Sequence, residues 1–137
     1  MRTVEVTRTV PATVVAVDRG LSPATIIESE GTFSVVEVTD HDDGTTTVSA
    51  RASGLRATFT FEPLEDGYRY RQEGDAGPFE TMETTLTRER ADSGARLTAR
   101  SSVSLGLPLP AVTDRLAGWK RRGELKRLLE TLAVELR

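Results

Sequence analysis

Residues 107–137 read LPLPAVTDRLAGWKRRGELKRLLETLAVELR, the one long helical pattern in a chain that elsewhere alternates as strands do. Val112, Leu116 and Trp119 recur at helical spacing, as do Leu125, Leu128, Leu129, Leu132 and Leu136, which predicts an apolar stripe along most of the helix. Arg115, Lys120, Arg122, Lys126, Arg127 and Glu130 fall mainly on the other side. A single helix with such a stripe needs a partner layer, and the only candidate is a sheet built from the residues before it.

Upstream of the helix the pattern is two-fold from residue 33 onward. Strands are expected at 33–40, 45–52, 55–62, 68–72, 79–90 and 95–105, each closed by turn residues: His41-Asp42-Asp43-Gly44, Ser53-Gly54, Glu65-Asp66-Gly67 and Ala91-Asp92-Ser93-Gly94. Pro63 is expected to end its strand, and 74–78 to form a wider loop. Gly106, Pro108 and Pro110 break the alternation ahead of the final helix. Before residue 33, Val4, Val6 and Val10 alternate with threonines as a first strand, which Pro11 stops. Two short helices follow, one over 12–18 closed by Gly20, the other capped by Ser22 with Pro23 in its first turn and ending at Gly31. Short turns between successive strands imply an antiparallel sheet, and the whole is an α+β arrangement with one face covered by the helix.

With 137 residues and no interior linker or repeat, 1–137 is expected to form a single domain. The net charge of −3 argues against nucleic acid as a partner, since phosphate binding needs a basic surface and the run Lys120, Arg121, Arg122 is short. The absence of cysteine excludes disulfides and thiol chemistry. MRTVEVTRTV lacks the apolar run of a signal peptide and no stretch is apolar enough to span a bilayer, so a cytoplasmic protein without integral membrane association is expected. Nothing in the sequence sets the oligomeric state.

The order strand, two short helices, six strands, long helix resembles the START/Bet v1-like superfamily, also called SRPBCC or polyketide cyclase/dehydrase-like. The resemblance spans nearly the whole chain. It is carried by the first strand leading through Pro11 into the helix pair, by the hairpins from 33 to 105, and by SLGLPLP running into DRLAGWKRRGELKRLLETLAVEL. It implies a helix-grip fold: a curved seven-stranded antiparallel sheet wrapped around the C-terminal helix, with a cavity for lipids, polyketides or isoprenoid-like molecules between them. Members include carriers, sensors and enzymes, so the likeness does not choose a chemistry.

Strand parity places Phe59, Phe61, Met82, Leu86 and Val103 on the inward face, with Tyr68, Tyr70, Gln72, Thr84 and Ser101 as sparse polar groups among them. Leu116 and Trp119 of the helix stripe complete the candidate lining, Trp119 either walling a cavity or anchoring helix to sheet. The small residues Ala50, Ala52, Ala57, Ala99 and Ser101 favour an unfilled space over a solid core. Gly118 and Gly123 leave room either for the sheet or for a ligand. His41 among Asp40, Asp42 and Asp43 is accounted for by turn chemistry. By parity Arg8 and Glu80 either pair inward as a polar anchor or are solvated near strand ends, the second being expected, and Glu124 with Arg127 is expected to be a helix-surface pair. No nucleophile–base set, phosphate loop or metal-ligand spacing appears, and no cofactor is expected. The expected function is binding or carriage of an apolar small molecule. Two alternatives stay open: a cyclase or hydratase using Tyr70, Gln72 or Glu80 for acid/base work, and an interaction module with a filled core and a basic surface at 120–122.

Overall fold

A computed structural model describes residues 1–74, 79–105 and 110–136, the side chains of 110–112 excepted. Residues 75–78 of the expected loop at 74–78, the break at Gly106 and Pro108, and the side chain of Val112 lie outside the described residues. The chain runs β1 (Arg2–Val10), α1 (Val14–Gly20), α2 (Pro23–Ser29), β2 (Ser34–Asp40), β3 (Thr46–Ala52), β4 (Leu55–Leu64), β5 (Gly67–Gln72), β6 (Thr81–Ala91), β7 (Gly94–Ser104) and α3 (Pro110–Glu135). All seven strands form one open antiparallel sheet in the order β1-β7-β6-β5-β4-β3-β2. This is the expected α+β helix-grip arrangement.

The strands follow from alternation. Along β7, Ala95, Leu97, Ala99, Ser101 and Val103 are buried while Arg96 and Arg100 are exposed, so one face is core and the other meets water. The outer face carries ion pairs across strands, Arg96 with Glu89 at 2.8 Å and Arg100 with Glu5 at 3.6 Å, each contributing at most about 1 kcal/mol. Gly44 and Gly54, at φ of 90° and 82°, supply the left-handed backbone that the hairpin turns require.

Two boundaries differ from expectation. The first short helix starts at Val14, because Thr13 caps it by accepting from the Ala16 N–H at 3.1 Å; Pro11 precedes the helix. Pro63 does not end its strand. It pairs with Tyr68 in β5, beyond the last β3 partner at Phe61, so its missing N–H leaves no rung to β3 unmade. The second short helix is capped as expected, the Ser22 hydroxyl accepting from the Thr25 N–H.

The helix α3 packs on β1, β7 and α2. Leu125, Leu128, Leu129 and Leu132 are buried in one core with Val4, Leu97, Ile26 and Ile27, each leucine contributing about 2 kcal/mol of apolar burial. Gly118 settles in favour of crowding: a Cβ there would lie 2.6 Å from Arg2 Cγ, so its absence lets α3 approach β1. At the far edge of the sheet, a register shift between Val35 and Glu37 leaves Val36 without a β3 partner, and Val36 and Val38 are exposed.

The apolar stripe needs correction in its first half. Leu116 and Trp119 are 56% and 78% exposed, on the outer face of α3. Six residues separate Trp119 from Leu125, neither one nor two turns of a 3.6-residue helix, so the two groups cannot share a face. Carried back from Leu125, the buried face takes in Glu124, Arg121, Gly118, Ala117 and Asp114. Among the described residues no helix is long and apolar enough to cross a membrane.

Candidate functional site: a buried arginine network under the gripping helix

Arg121 occupies a core position of α3 and is 1% exposed. Its stem crosses to the concave face, where β5, β6 and β7 present Tyr70, Thr84 and Ser101 by strand parity, Thr84 lying opposite both Tyr70 and Ser101 in register. The guanidinium donates from Nε to Ser101 Oγ at 3.0 Å and from one terminal nitrogen to Thr84 Oγ1 at 2.7 Å. It meets Glu30 in a two-pronged pair at 2.7 and 3.0 Å, and Glu124 Oε1 at 3.2 Å. The Tyr70 hydroxyl donates to Glu30 Oε2 at 2.5 Å and accepts from Arg121 at 3.3 Å, while its ring stacks on Phe61 at 4.5 Å. Glu124 also accepts from the Thr32 hydroxyl and from Lys120 at 3.3 Å. Arg127 donates to the Glu30 backbone carbonyl at 3.0 Å, so the turn after α2 is tied to α3 through polar contacts at Glu30 and Thr32.

Two buried carboxylates therefore surround one guanidinium, with Lys120 at the rim as the second cation. Burial by itself would lower the Arg121 pKa, but Glu30, Tyr70 and Glu124 outweigh it and hold the side chain charged, above its ordinary range. Burial would raise the Glu124 pKa, yet Arg121, the Thr32 hydroxyl and Lys120 bring it below the usual carboxylate value. Burial and the neighbouring Glu30 push the Tyr70 phenol well upward against a partial offset from Arg121, so it stays protonated as a hydrogen-bond donor.

Of the residues expected to line a cavity, Phe61, Tyr70, Thr84, Leu86 and Val103 have no surface on which a water molecule could rest, and Phe59, Met82 and Ser101 almost none. Tyr68 is half-buried, beside Phe61. Among the described residues no accessible interior surface remains beside these side chains, where the Arg121 network takes up the room that Ser101 and Thr84 leave. The two helix residues of the expected lining, Leu116 and Trp119, are remote from it, pointing outward. Glu80 and Arg8 are exposed, as expected of solvated strand ends. Glu124, expected at the surface, is 2% exposed and belongs to the network. His41 hydrogen-bonds Thr47 across its hairpin at 2.7 Å.

An open cleft of about 830 Å³ lies at the end of the sheet where β5 stops and β6 begins. Gln72 and Met82 reach it from the expected lining, while Arg71, Glu83, Thr85, Arg100 and Ser102 line it from the outer face of the sheet, and no described side chain of α3 takes part. Met82 joins cleft to network, its sulfur 3.0 Å from the Thr84 hydroxyl and 3.6 Å from Arg121. Gln72 donates to the Phe79 and Gly74 carbonyls at 2.5 and 3.2 Å, while its buried Oε1 has no partner among the described residues.

Sequence reasoning missed Arg121, Glu30 and Glu124. For Arg121 a signal existed: it stands one helical turn before Leu125, in phase with the leucines.

A seven-stranded antiparallel sheet closed by a C-terminal helix, with a short helix pair after the first strand, is the START/Bet v1-like, or SRPBCC, fold. Comparison with solved structures agrees. The protein TTHA0849 of Thermus thermophilus is similar with a TM-score of 0.76 at 18% identity, covering 98% of this chain and 97% of that one. A START superfamily protein of Mycobacterium smegmatis matches with a TM-score of 0.70 at 17% identity over 98% and 99%. The di-domain ARO/CYC protein BexL of the BE-7585A biosynthetic pathway matches with a TM-score of 0.67 at 21% identity, over 93% of this chain and 45% of that one. No family model and no curated protein matches the sequence.

Proposed function

We propose that residues 1–137 act as one cytoplasmic domain that binds or carries a small molecule with an apolar body and a carbonyl or acidic oxygen. The polar end meets Arg121 beneath α3, and the body enters from the cleft at Gln72 and Met82. The observation that supports this most is the placement of a charged, fully buried guanidinium against three hydroxyls of the concave face. A core selected for stability alone would do as well or better with apolar side chains there, since desolvating an ion pair consumes most of its Coulombic gain. A guanidinium is instead the group that recognises a planar oxyanion or carbonyl by two parallel hydrogen bonds. Phe61, Leu86 and Val103 are fully buried on the same sheet face, so a hydrophobic body reaches them only if the packing around Arg121 opens. In the closed state Glu30 holds the position that the ligand oxygen would take, so binding exchanges one anion for another.

Native mass spectrometry of the protein purified from its own host tests this. The expected result is a co-purified molecule lost in Arg121→Met, with circular dichroism confirming that the variant is folded. Ligand-free wild-type protein, together with no change in thermal stability on adding fatty acids or aromatic polyketides, would leave a filled core and overturn the proposal.

A second reading, proton transfer to a bound carbonyl by a cyclase- or hydratase-type enzyme, draws on Tyr70. Its hydroxyl lies between Glu30 and Arg121, and burial together with Glu30 keeps it protonated. Tyr70→Phe would then abolish turnover while leaving ligand co-purification intact.

A further inference from the structure

The outer face of α3 carries a second feature that the interior network does not explain. Trp119, the only tryptophan of the chain, and Leu116 are both largely exposed there. Residues 113–127 hold six of the chain's 18 Lys and Arg but only two of its 21 Asp and Glu. Both of those acids, Asp114 and Glu124, are buried, Asp114 against the N-terminal amine and Glu124 in the network. The exposed charge on this stretch is consequently all positive, although the protein as a whole is acidic.

The cations are also ordered. At 100° per residue, Arg115, Arg122 and Lys126 fall on one flank of the Leu116–Trp119 ridge and Lys120 and Arg127 on the other. Lys120 is shared with Glu124, and Arg122 and Arg127 donate to the backbone carbonyls of Glu5 and Glu30, which leaves the charge of the two arginines unneutralised. The nearest exposed acid on β1, Glu5, pairs with Arg100, and Glu130 begins only beyond Arg127.

We propose that this face of α3 docks onto an anionic lipid bilayer, with the helix lying along the surface. An apolar ridge bearing an indole between two basic rows matches the layered chemistry of a membrane interface: acyl boundary below, phosphate on both sides. A convex single helix offers no groove to seat a peptide, which favours a broad planar partner. The face is already outward, so docking needs no rearrangement of the core. This inference stands apart from the ligand proposal and survives its failure.

Vesicle co-sedimentation and Trp119 fluorescence test it with the whole chain. With vesicles of phosphatidylcholine containing phosphatidylglycerol at about one part in three, the protein is expected to sediment and its emission to shift to the blue, both reversing at about 0.5 M salt. Phosphatidylcholine alone gives neither effect. Reversing Arg115, Arg122 and Lys126 to Glu weakens binding at least about tenfold, and Lys126→Glu, which removes no hydrogen bond among the described residues, weakens it measurably by itself. Trp119→Ala, unchanged in its urea midpoint, weakens binding as well. Absence of binding to the anionic vesicles overturns the proposal, as does binding with unshifted emission. So does a salt-sensitive affinity for a single-stranded oligonucleotide or an acidic protein without any for vesicles.

Discussion

The two halves of α3 lie on the same sheet and are held there by different physics. From Leu125 to Leu136 the inward face is leucine and alanine, buried without polar partners. From Asp114 to Glu124 it is a carboxylate, two small residues, a guanidinium and another carboxylate, and the aromatic residue faces out. Apolar burial is non-directional and tolerant of exchange; the charged half depends on every partner being present, because a lone buried charge is far more costly than a cavity of the same size. The inward face of the C-terminal half is thus held by apolar burial alone, and that of the N-terminal half by a set of mutually dependent charges.

The sharpest way to break this contrast is to remove the centre of the charged half. Arg121→Ala strands Glu30 and Glu124 and is expected to lower stability by about 4 kcal/mol, read from urea unfolding. Arg121→Met combined with Glu30→Gln and Glu124→Gln should recover most of the loss, as a network kept for recognition rather than stability requires. Leu132→Ala in the leucine half is expected to cost about 3 kcal/mol, with no neutral combination of neighbours restoring it. If Arg121→Ala proved milder than Leu132→Ala, the charged half would be no more demanding than ordinary core.

Acid sharpens the same comparison. Glu124 has a folded pKa below its ordinary 4.5, so its contribution is fully present above that value and lost as pH falls through it toward the folded value. Urea midpoints of the wild type should therefore decline below pH 4.5 more steeply than those of Glu124→Gln. The smallest effect belongs to Trp119→Ala, expected to change stability by no more than about 0.5 kcal/mol since the side chain is largely in water.

Most of the fold was legible because period-two runs and turn residues agreed at nearly every boundary, Pro63 and the start of α1 excepted: Gly44 and Gly54 stand where a positive φ is needed, and Ser22-Pro23 opens α2. Parity also brought Tyr70, Thr84 and Ser101 onto one face. What parity could not show was the other side of the site. Arg121 sits between Lys120 and Arg122, and three successive cations look like a solvated turn until the leucine phase is extended backward past Gly123. Trp119 hid that phase, because a large aromatic residue in a helix is ordinarily core. Glu30, ahead of Gly31 at a helix end, reads as surface. Only the approach of α2 to α3, a contact between distant segments, puts it inside.

The bulge at Val36 bears on how the protein behaves in concentrated solution. An outermost strand with two bare valines would, if straight, offer a ready template for a neighbouring copy to add its own strand. The extra residue interrupts the spacing of free amide and carbonyl groups, so an incoming segment cannot make consecutive rungs along it. Deleting Val36 would straighten that border and invite self-association.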